Sequence, residues 1–506
     1  MYKKLLKAVT NLGSPRVLLV GDFLLDSYVY GDALRISPEA PVQVLKVVNR
    51  QYSCGGAGAV AVDLRALGAG CICIGAVGND DNGKLLKEQL GELKADNSGI
   101  ITLSDRPTIS KQRLIGLAQH RHRQQLLRID DECTRPFDEA EYDKILKIYT
   151  DKLSQADIVC IQDYNKGVVS PVLCRELIKL ASGAGKKVLI DPPVTDDYSK
   201  YTGASLIAPN RREASKAVGF AIETVEDASG ASGIIADKLK VEAVVITLDK
   251  DGAFLHTNQT SEHIPTIPRS VYDVTGAGDM VLAMLAVSVA AGCGYRTAVQ
   301  LANIAGGIEV EKFGVATVTV DEIVNEIIAE NRGKGGKIHD IDTLVDVLTF
   351  HRQQKEKIVF TNGCFDVLHR GHIEFLKFCK AQGDVVVLGL NSDVSVRQIK
   401  GSGRPINNQH DRAAVLAALE TVDYIVIFDE PDPLKTIEKV KPDVLVKGQD
   451  WADKGVIGRQ FVESGGGKVV LAPLVEGKSS TSTIEKMQSI QKKRSGPKDG
   501  LEAVNE

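Results

Sequence analysis

The sequence predicts an α/β protein with two successive domains, each built on a mostly parallel sheet covered by helices. Strand-like apolar runs alternate with amphipathic stretches along the chain, which is the pattern of repeated βα units. The length of 506 residues allows two to four domains at roughly 100–200 residues each. A Gly-rich, charged stretch interrupts the pattern once, which predicts a first domain at 1–329, a linker at 330–341 and a second domain at 342–487.

Composition and charge exclude several classes of protein. The chain has 62 Lys plus Arg and 66 Asp plus Glu, a net charge of −4. It therefore lacks the overall positive charge that is typical of nucleic-acid-binding proteins. The nine cysteines form no C-x-x-C pairs, which favours a reducing, cytoplasmic compartment. The longest apolar run, 280–291, is too short to span a bilayer. We therefore expect a cytoplasmic protein with neither nucleic-acid nor membrane partners.

The first half opens on a strand and continues through four more apolar runs that end in polar residues. Because ligands bind at the carboxyl ends of parallel strands, we expect the site at those ends. The stretch 28–48 alternates and carries two prolines, which predicts an antiparallel flap beside the main sheet. The predicted strands are 16–22, 156–163, 186–193, 204–210 and 242–248.

The segment 273–279, DVTGAGD, precedes an apolar helix and is a candidate site for phosphoryl transfer. Gly276, Ala277 and Gly278 allow backbone N–H groups to converge where the helix begins, and a helix N-terminus favours phosphate. Asp279 could accept the proton of an attacking hydroxyl as a general base. The competing interpretation is an ordinary Gly-rich turn capped by an aspartate.

The second half begins a fresh βα series, with a polar tail expected at 488–506. After its first strand comes TNGCFDVLHRGH, in which His369 and His372 lie on one face of a helical first turn. Two imidazoles at a helix N-terminus can stabilise an α-phosphate during in-line displacement. A metal pair is the alternative, but a closed zinc site needs further ligands, so we assign no resident metal. The predicted strands are 357–363, 384–391, 424–430, 443–448 and 468–473.

The first motif set resembles the ribokinase-like sugar kinases, and the stretch 35–44, RISPEAPVQV, resembles the flap of bacterial heptose-7-phosphate kinases. The resemblance implies catalysis by Asp279 over the anion hole at 276–278, with Mg²⁺ accompanying ATP. It implies substrate contacts at Asp26, Gly55, Gly56, Arg123, Gln124, Arg128, Asp163 and Lys166. It implies nucleotide contacts at Asn210, Glu213, Thr247, Gly252 and Asn303.

The second motif set resembles the cytidylyltransferase-like nucleotidyltransferases, which use the H-x-G-H motif in this way. In that family a loop and helix after the second strand meet the phosphates, and a hydroxyl-rich turn near the end grips them. The resemblance implies nucleotide contacts at Asn362, Gly363, Phe365, Asp393, Lys400, Arg404, Lys447, Asp450, Ser480, Thr481 and Ser482.

The fusion as a whole, over about residues 8–487, resembles the bacterial bifunctional heptose-7-phosphate kinases and heptose-1-phosphate adenylyltransferases. That family implies a ribokinase-like three-layer domain with a small β flap, followed by a Rossmann-like nucleotidyltransferase domain. The implied activities are phosphorylation of D-glycero-D-manno-heptose 7-phosphate at its anomeric hydroxyl, and adenylyl transfer from ATP to heptose 1-phosphate. The product, ADP-heptose, supplies the lipopolysaccharide core, and a homodimer through the kinase domain is expected.

Three positions depart from the kinase pattern. Ala59 stands where a sugar-contacting Asn is usual, Asn165 replaces a Gly, and Pro193 replaces a Lys. Two alternatives therefore stay open. One is an enzyme pair for another sugar phosphate or another nucleotide, and the other is an inactive kinase half that acts as a scaffold for the adenylyltransferase.

Overall fold

A computed structural model describes residues 2–117, 124–267, 269, 276–312, 316–333 and 336–473. The chain divides into two compact units, Met1–Ile327 and Ile328–Glu506. The segment expected as a linker contains regular structure, since one helix continues to Gly333 and the strand Ile338–His339 belongs to the second unit. Ile338 and His339 pair with Ile425 and Val426. These partners are distant in the chain, so the local composition does not predict this strand.

The first unit contains 13 strands and ten helices within its described residues, besides short 3₁₀ turns. In chain order they are α1 (Tyr2–Thr10), β1 (Arg16–Gly21), β2 (Phe23–Ile36), β3 (Gln43–Gly56), α2 (Ala57–Ala66), β4 (Gly70–Gly78), α3 (Asp81–Glu92), β5 (Asp96–Leu103), β6 (Ser110–Gly116), β7 (Gln124–Asp131), α4 (Glu139–Leu153), β8 (Ile158–Gln162), α5 (Pro171–Gly183), β9 (Val188–Asp191), β10 (Leu206–Ile207), α6 (Arg211–Val218), α7 (Val225–Leu239), β11 (Ala243–Thr247), β12 (Ala253–Thr257), β13 (Ser261–Ile264), α8 (Ala277–Ala290), α9 (Tyr295–Glu309) and α10 (Val320–Gly333).

The main sheet has the order β13-β12-β11-β10-β9-β8-β1-β4-β5 and is parallel except at β12 and β13. Leu18 and Val20 of β1 pack into one buried cluster with α4, α5 and α7. Val17 and Leu19 point to the opposite face and are also fully buried. Burial on both faces explains why these strands are continuous apolar runs. Strand β1 lies between β4 and β8 in the sheet, so the strand order reverses there. In open α/β sheets ligands bind at such a topological switch point.

The flap is a separate four-stranded sheet in the order β3-β2-β6-β7. Strands β2 and β3 are antiparallel, and Asp26 of β2 pairs with Ser53 on one side and Lys111 of β6 on the other. The sequence predicted the antiparallel character at 28–48 but not the contribution of β6 and β7. Those two strands follow β5 in the chain and join the flap only through long-range pairing.

The second unit carries a parallel six-stranded sheet in the order β14-β17-β16-β15-β18-β19. Its switch point lies at β15, which has β16 on one side and β18 on the other. Within the described residues, no helix of the chain is long and apolar enough to cross a bilayer. The elements are β14 (Ile338–His339), α11 (Ile341–Gln353), β15 (Ile358–Gly363), α12 (Arg370–Lys380), β16 (Val385–Asn391), α13 (Asp393–Lys400), α14 (Gln409–Ala417), β17 (Tyr424–Phe428), α15 (Leu434–Val440), β18 (Val444–Gly448), α16 (Arg459–Ser464) and β19 (Lys468–Ala472).

Candidate functional site

The first unit has a polar cavity where the flap and the start of α2 meet the start of α8. Four carboxylates and two cations face it, a density of charge that a purely structural void would not carry. Its lining residues are Leu24, Asp26, Cys54, Gly55, Gly56, Ala59, Val62, Asp63, Lys111, Arg113, Tyr164, Gly276, Asp279 and Glu309.

Asp279 lies in the first turn of α8 and is 8% exposed. Its Oδ1 accepts hydrogen bonds from Gln162 Nε2 at 3.0 Å and from the Tyr164 hydroxyl at 3.4 Å. Burial is the main cause that raises the pKa of Asp279 to about 7. A carboxylate with a pKa near the working pH is a suitable general base.

The start of α8 requires glycine at position 276. Gly276 has φ +98°, and a Cβ there would lie 2.8 Å from Glu309 Oε1. The helix then begins at Ala277, so the first N–H groups of α8 have no intrahelical acceptor. Gly278 has open space where its Cβ would be. These features fit an anion site at 276–278, while residues 273–275 of the motif lie outside the described residues.

The sugar-facing end of the cavity is formed by the flap. Asp26 is buried and pairs with the Arg113 guanidinium. A Cβ at Gly55 would lie 2.1 Å from Asp26 Oδ2, so a side chain there would displace this carboxylate. Gly56 has φ +58° and would bring a Cβ to 2.5 Å from the Asp22 carbonyl oxygen. Gly55 therefore lets β3 run close to the Asp26 carboxylate, and Gly56 lets it run close to the backbone at Asp22.

Sequence reasoning missed Lys111 and Arg113, which line the cavity beside Asp26. Both lie on β6, two residues apart, so they point to the same face of the flap. The alternation in SKQRLIG was a usable signal for a strand. The pairing of β6 with β2, however, joins segments more than 80 residues apart and is not visible in local sequence.

Other predicted substrate residues lie away from the cavity lining. Asp163 contacts Lys200 Nζ at 2.5 Å and accepts a hydrogen bond from the Tyr201 hydroxyl at 2.7 Å. Lys166 pairs with Glu132 at 2.5 Å. In this structure these two side chains hold the loop after β8 instead of facing the cavity.

The flap edge carries the remaining predicted sugar-phosphate contacts. Arg128 lies directly across from Arg113 and pairs with Asp130 at 2.9 Å. Gln124 is exposed at the start of β7. Arg123 lies outside the described residues.

Asp22, a buried aspartate at the predicted ligand-binding end of β1 but without a predicted role, organises the loop after β8. Its carboxylate accepts hydrogen bonds from the backbone N–H groups of Tyr164, Lys166 and Val168. Burial and the nearby Asp163 raise its pKa to about 6 in spite of these bonds. The loop that presents Tyr164 to Asp279 is therefore tied to the end of β1.

The predicted nucleotide contacts gather at the ends of β10 and β11. Asn210 caps α6 and forms a reciprocal capping box with Glu213. Its backbone also forms an isolated parallel β-bridge with Thr247. Gly252 has φ +92° and would bring a Cβ to 2.3 Å from the Ile264 carbonyl oxygen. Asn303 donates to that same oxygen at 2.9 Å. The capping box accounts for Asn210 structurally, while the Glu213 charge also acts on Asp191.

Among the described residues, no three His, Cys, Asp or Glu side chains are arranged to hold a metal ion by themselves. Magnesium bound with ATP needs less, because one or two carboxylates and the phosphate oxygens complete its shell. Burial and the neighbouring Glu213 both raise the pKa of Asp191 well above its usual range. These two carboxylates would hold a divalent cation that binds together with ATP, because its charge would offset their repulsion.

The second unit places its two predicted histidines at the switch point after β15. His369 is the N-cap residue of α12, and its ring stacks on His372 with 3.9 Å between centroids. Burial, His369 and Lys400 lower the pKa of His372 to about 4. His372 is therefore neutral at pH 7, and its Nδ1 is buried without a hydrogen-bond partner in the described part of the chain.

Residues before this helix, together with Lys447 and Trp451, contact one another and the His372 ring. Phe365 has φ +42°, and the centroid of its ring lies 5.1 Å from that of the His372 ring. A Cβ at Gly363 would approach the Phe365 ring to 2.9 Å. Lys447 Nζ lies 3.4 Å from the Asn362 carbonyl oxygen and 5.0 Å from the Trp451 ring centre. Burial lowers the pKa of Lys447 to about 8; Trp451, the single tryptophan, is a contact that the sequence analysis missed.

An ion-pair network holds the loop between α13 and α14 against the motif. Asp366 binds the Arg404 side chain and accepts the Ile406 backbone N–H at 2.7 Å. Buried Arg412 donates to the Cys364 carbonyl at 2.6 Å and pairs with Asp393 at 2.7 Å. Arg412 thus holds Asp393 in place, and Arg404 contacts the segment just before the H-x-G-H motif by its ion pair with Asp366. Lys400 and Asp450 are exposed, while Ser480, Thr481 and Ser482 lie outside the described residues.

Two family models match the chain. The pfkB family carbohydrate kinase model matches residues 15–322, and the cytidylyltransferase-like model matches residues 360–464. Relatives of nearly equal length match the whole chain. Bifunctional protein HldE of Pelobacter propionicus is 41% identical over 489 residues, covering 96% of this chain and 99% of that protein. Bifunctional protein HldE of Wolinella succinogenes is 42% identical over 475 residues, covering 94% and 98%.

Solved structures resemble the first unit in fold. Phosphofructokinase-2 from Escherichia coli, in its tetrameric inhibited form, aligns with a TM-score of 0.51 and 19% identity. The alignment covers 62% of this chain and 99% of that one. At this level of identity the likeness shows the ribokinase-like fold alone, in agreement with the predicted fold class.

Proposed function

Because this chain belongs to the HldE family of bifunctional proteins, a pfkB-type sugar kinase followed by an adenylyltransferase, we propose that its two sites act on heptose phosphates. The first site phosphorylates the anomeric hydroxyl of D-glycero-D-manno-heptose 7-phosphate with ATP. The second joins heptose 1-phosphate to AMP from ATP, giving ADP-heptose and pyrophosphate. The observation that carries the kinase assignment is the buried Asp279 at the start of α8, facing the same cavity as the flap residues.

In the kinase reaction Asp279 takes the proton of the anomeric hydroxyl. The sugar oxygen then forms a bond to the γ-phosphorus while the bond to the β–γ bridging oxygen breaks and ADP leaves. The N–H groups at 276–278 hold the negative charge that moves between these oxygens. Asp26, fixed by Arg113, accepts hydrogen bonds from sugar hydroxyls and orients the ring. Tyr164 and Gln162 keep the Asp279 carboxylate aimed into the cavity.

In the adenylyl transfer a phosphate oxygen of heptose 1-phosphate attacks the α-phosphorus of ATP, and pyrophosphate leaves. His369 and His372 lie at the start of α12 and donate to the α-phosphate oxygens as charge builds there. A neutral His372 offers one N–H for this purpose. Lys447 supplies a positive charge beside the Asn362 backbone, where burial and Trp451 restrict its motion.

Magnesium would accompany ATP at both sites and neutralise part of the phosphate charge. In the kinase half Glu213 and Asp191 would hold it, since they are the carboxylates that repel each other beside the predicted nucleotide contacts. Arg128 and Gln124 on the flap edge would contact the sugar's own phosphate, because guanidinium groups pair bidentately with phosphate oxygens.

A substrate panel on the whole protein tests the function. ATP with heptose 7-phosphate is expected to give a bisphosphate, and ATP with heptose 1-phosphate is expected to give ADP-heptose, both read by product mass. Turnover of a different sugar phosphate in either assay, with none of the heptose, would overturn the assignment. The scaffold alternative is not favoured, because relatives about 40% identical over nearly the whole length are named bifunctional.

The pH dependence of the kinase reaction follows from Asp279. Because its pKa is raised to about 7, the base is protonated below that pH, and kcat/KM is expected to fall about tenfold per pH unit below it. Because the pKa of His372 is lowered to about 4, this residue stays neutral between pH 6 and 7. The rate of adenylyl transfer should therefore not fall in that range. Rate profiles of both reactions at saturating magnesium and ATP check this difference. A kinase profile flat down to pH 5 would contradict the role of Asp279.

We also propose a homodimer through the flap, in the cytoplasm where ATP is supplied. Leu127 and Ile129 of β7 and Val47 of β3 point away from Asp26, and each is at least 44% exposed. Such a group of apolar side chains on one sheet face is typical of an interface. Light scattering is expected to give twice 54.5 kDa, and the double variant Leu127→Asp, Ile129→Asp is expected to give one chain's mass. A wild-type monomer would contradict this.

A further inference from the structure

Lys111 is the cavity cation that the structure leaves without a carboxylate partner. Among the described residues, no ion pair involves Lys111, whereas Arg113 on the same strand pairs with Asp26 and lies over the Tyr28 ring at 5.1 Å. The Lys111 ammonium instead lies over the Tyr164 ring, 5.2 Å from its centre. Tyr164 in turn reaches Asp279 through its hydroxyl. The lysine is thereby placed one aromatic ring away from the base.

The charge balance of the cavity requires a free cation when a phosphate enters. Asp26, Asp63, Asp279 and Glu309 all line the cavity, and a phosphoryl group would add further negative charge. Arg113 is already neutralised by Asp26, so Lys111 is the remaining lining cation that can face the incoming phosphate. An ammonium on a flexible stem suits this task, because it can follow a group that moves.

We propose that Lys111 is a catalytic residue whose ammonium contacts the phosphoryl group while it passes from ATP to the sugar. The inference rests on the proposed kinase function and adds a residue to it. In that step the anomeric oxygen bonds to the γ-phosphorus, the bond to ADP breaks, and the hydroxyl proton goes to Asp279. Lys111 gains and loses no proton; it offsets the charge on the equatorial phosphate oxygens.

The alternative source of phosphate is the sugar itself, whose 7-phosphate could occupy Lys111. The geometry favours the transferred group, because Lys111 is next to Tyr164 and Asp279, whereas Arg113 and Arg128 lie further along the flap face and directly opposite each other. Arg113 already pairs with Asp26, whereas Arg128 is half exposed beside Asp130, and an exposed guanidinium can pair bidentately with phosphate oxygens. That outer position suits the sugar's own phosphate.

The test compares Lys111→Met and Lys111→Arg with the wild-type full-length protein. For Lys111→Met we expect kcat for heptose 7-phosphate to fall by about 10²-fold, with KM changed by less than about threefold. Lys111→Arg, which keeps the charge, should recover part of the rate. Adenylyl transfer by the same samples should be unchanged, which verifies folding. Lys46→Met, which changes an exposed lysine on β3 of the same sheet, is the matched control and should leave kinase activity unchanged.

The pH profile supplies a second readout that a structural role would not move. The Lys111 charge lowers the pKa of Asp279, while Asp26 and Glu213 raise it and the Tyr164 hydroxyl bond lowers it. Removing the lysine charge therefore raises the pKa of Asp279, and the acidic fall in kcat/KM should move to higher pH in Lys111→Met. The same profile in Lys111→Arg should stay at the wild-type position.

Two results would overturn the inference. A raised KM for heptose 7-phosphate with kcat unchanged, together with unaltered kcat/KM for heptose lacking that phosphate, would assign Lys111 to the sugar's phosphate. Unchanged kinetics would leave it no role in the reaction. Failure of the proposed function has a different signature, since wild type would then turn over neither heptose. The Lys111 comparison would in that case be made on the sugar that the panel identifies.

Discussion

Replacing Asp279 by asparagine is expected to lower kcat of the kinase reaction by roughly 10²–10⁴-fold and to leave adenylyl transfer unchanged. The asparagine amide cannot accept the hydroxyl proton, yet its oxygen can still accept the hydrogen bond from Gln162. Burial disfavours the charged form of Asp279, so a neutral side chain should not lower the melting temperature. Coupled assays of both reactions and thermal unfolding on one preparation check all three expectations.

Asp157→Asn is the matched control for this variant. Asp157 is exposed and accepts the Arg16 backbone N–H at 2.8 Å. This contact lies where β1 and β8 begin, whereas Gln162, which contacts Asp279, lies where β8 ends. Its replacement should leave both activities at wild-type values. If Asp279→Asn retained more than about a tenth of the kinase rate, the proton would be taken by another group and the assignment of the base would be wrong.

His369→Ala is expected to reduce adenylyl transfer by about 10²–10³-fold, the usual cost of removing one donor to a developing charge. The loss should appear in kcat more than in KM, because charge on the α-phosphate grows only as the new bond forms. His372→Ala should act in the same direction. The kinase rate of both variants serves as the internal control and should equal that of wild type.

The structure also gives a way to separate a catalytic loss from a packing defect at this site. The two rings stack on each other, and His372 also contacts Phe365, so alanine removes packing as well as a donor. His369→Phe restores a ring without an N–H and should remain as inactive as His369→Ala. Recovery of activity by phenylalanine would show that packing, and not hydrogen bonding to phosphate, had been lost.

The sequence by itself determined the parts of each site whose residues are neighbours in the chain. The GAGD turn before an apolar run specified a helix start with a carboxylate in its first turn. The spacing of His369 and His372 specified two imidazoles on one helix face. Alternating βα runs specified two mostly parallel sheets. The spacing of apolar residues and the positions of turn residues are local signals, so they can be read within a few residues of sequence. These inferences needed no knowledge of which strands lie side by side.

Only the tertiary structure decided which distant side chains share a cavity and which are already engaged. Lys111 and Arg113 reach Asp26 because β6 pairs with β2, in a register that places Lys111 directly beside Asp26. Asp163 ends a strand as Asp22 does, yet its carboxylate is taken by Lys200 and Tyr201. A charge with a partner is fixed in place, and a charge without one is available to a ligand. That distinction depends on contacts between residues far apart in the chain, and so it arises only when the chain folds.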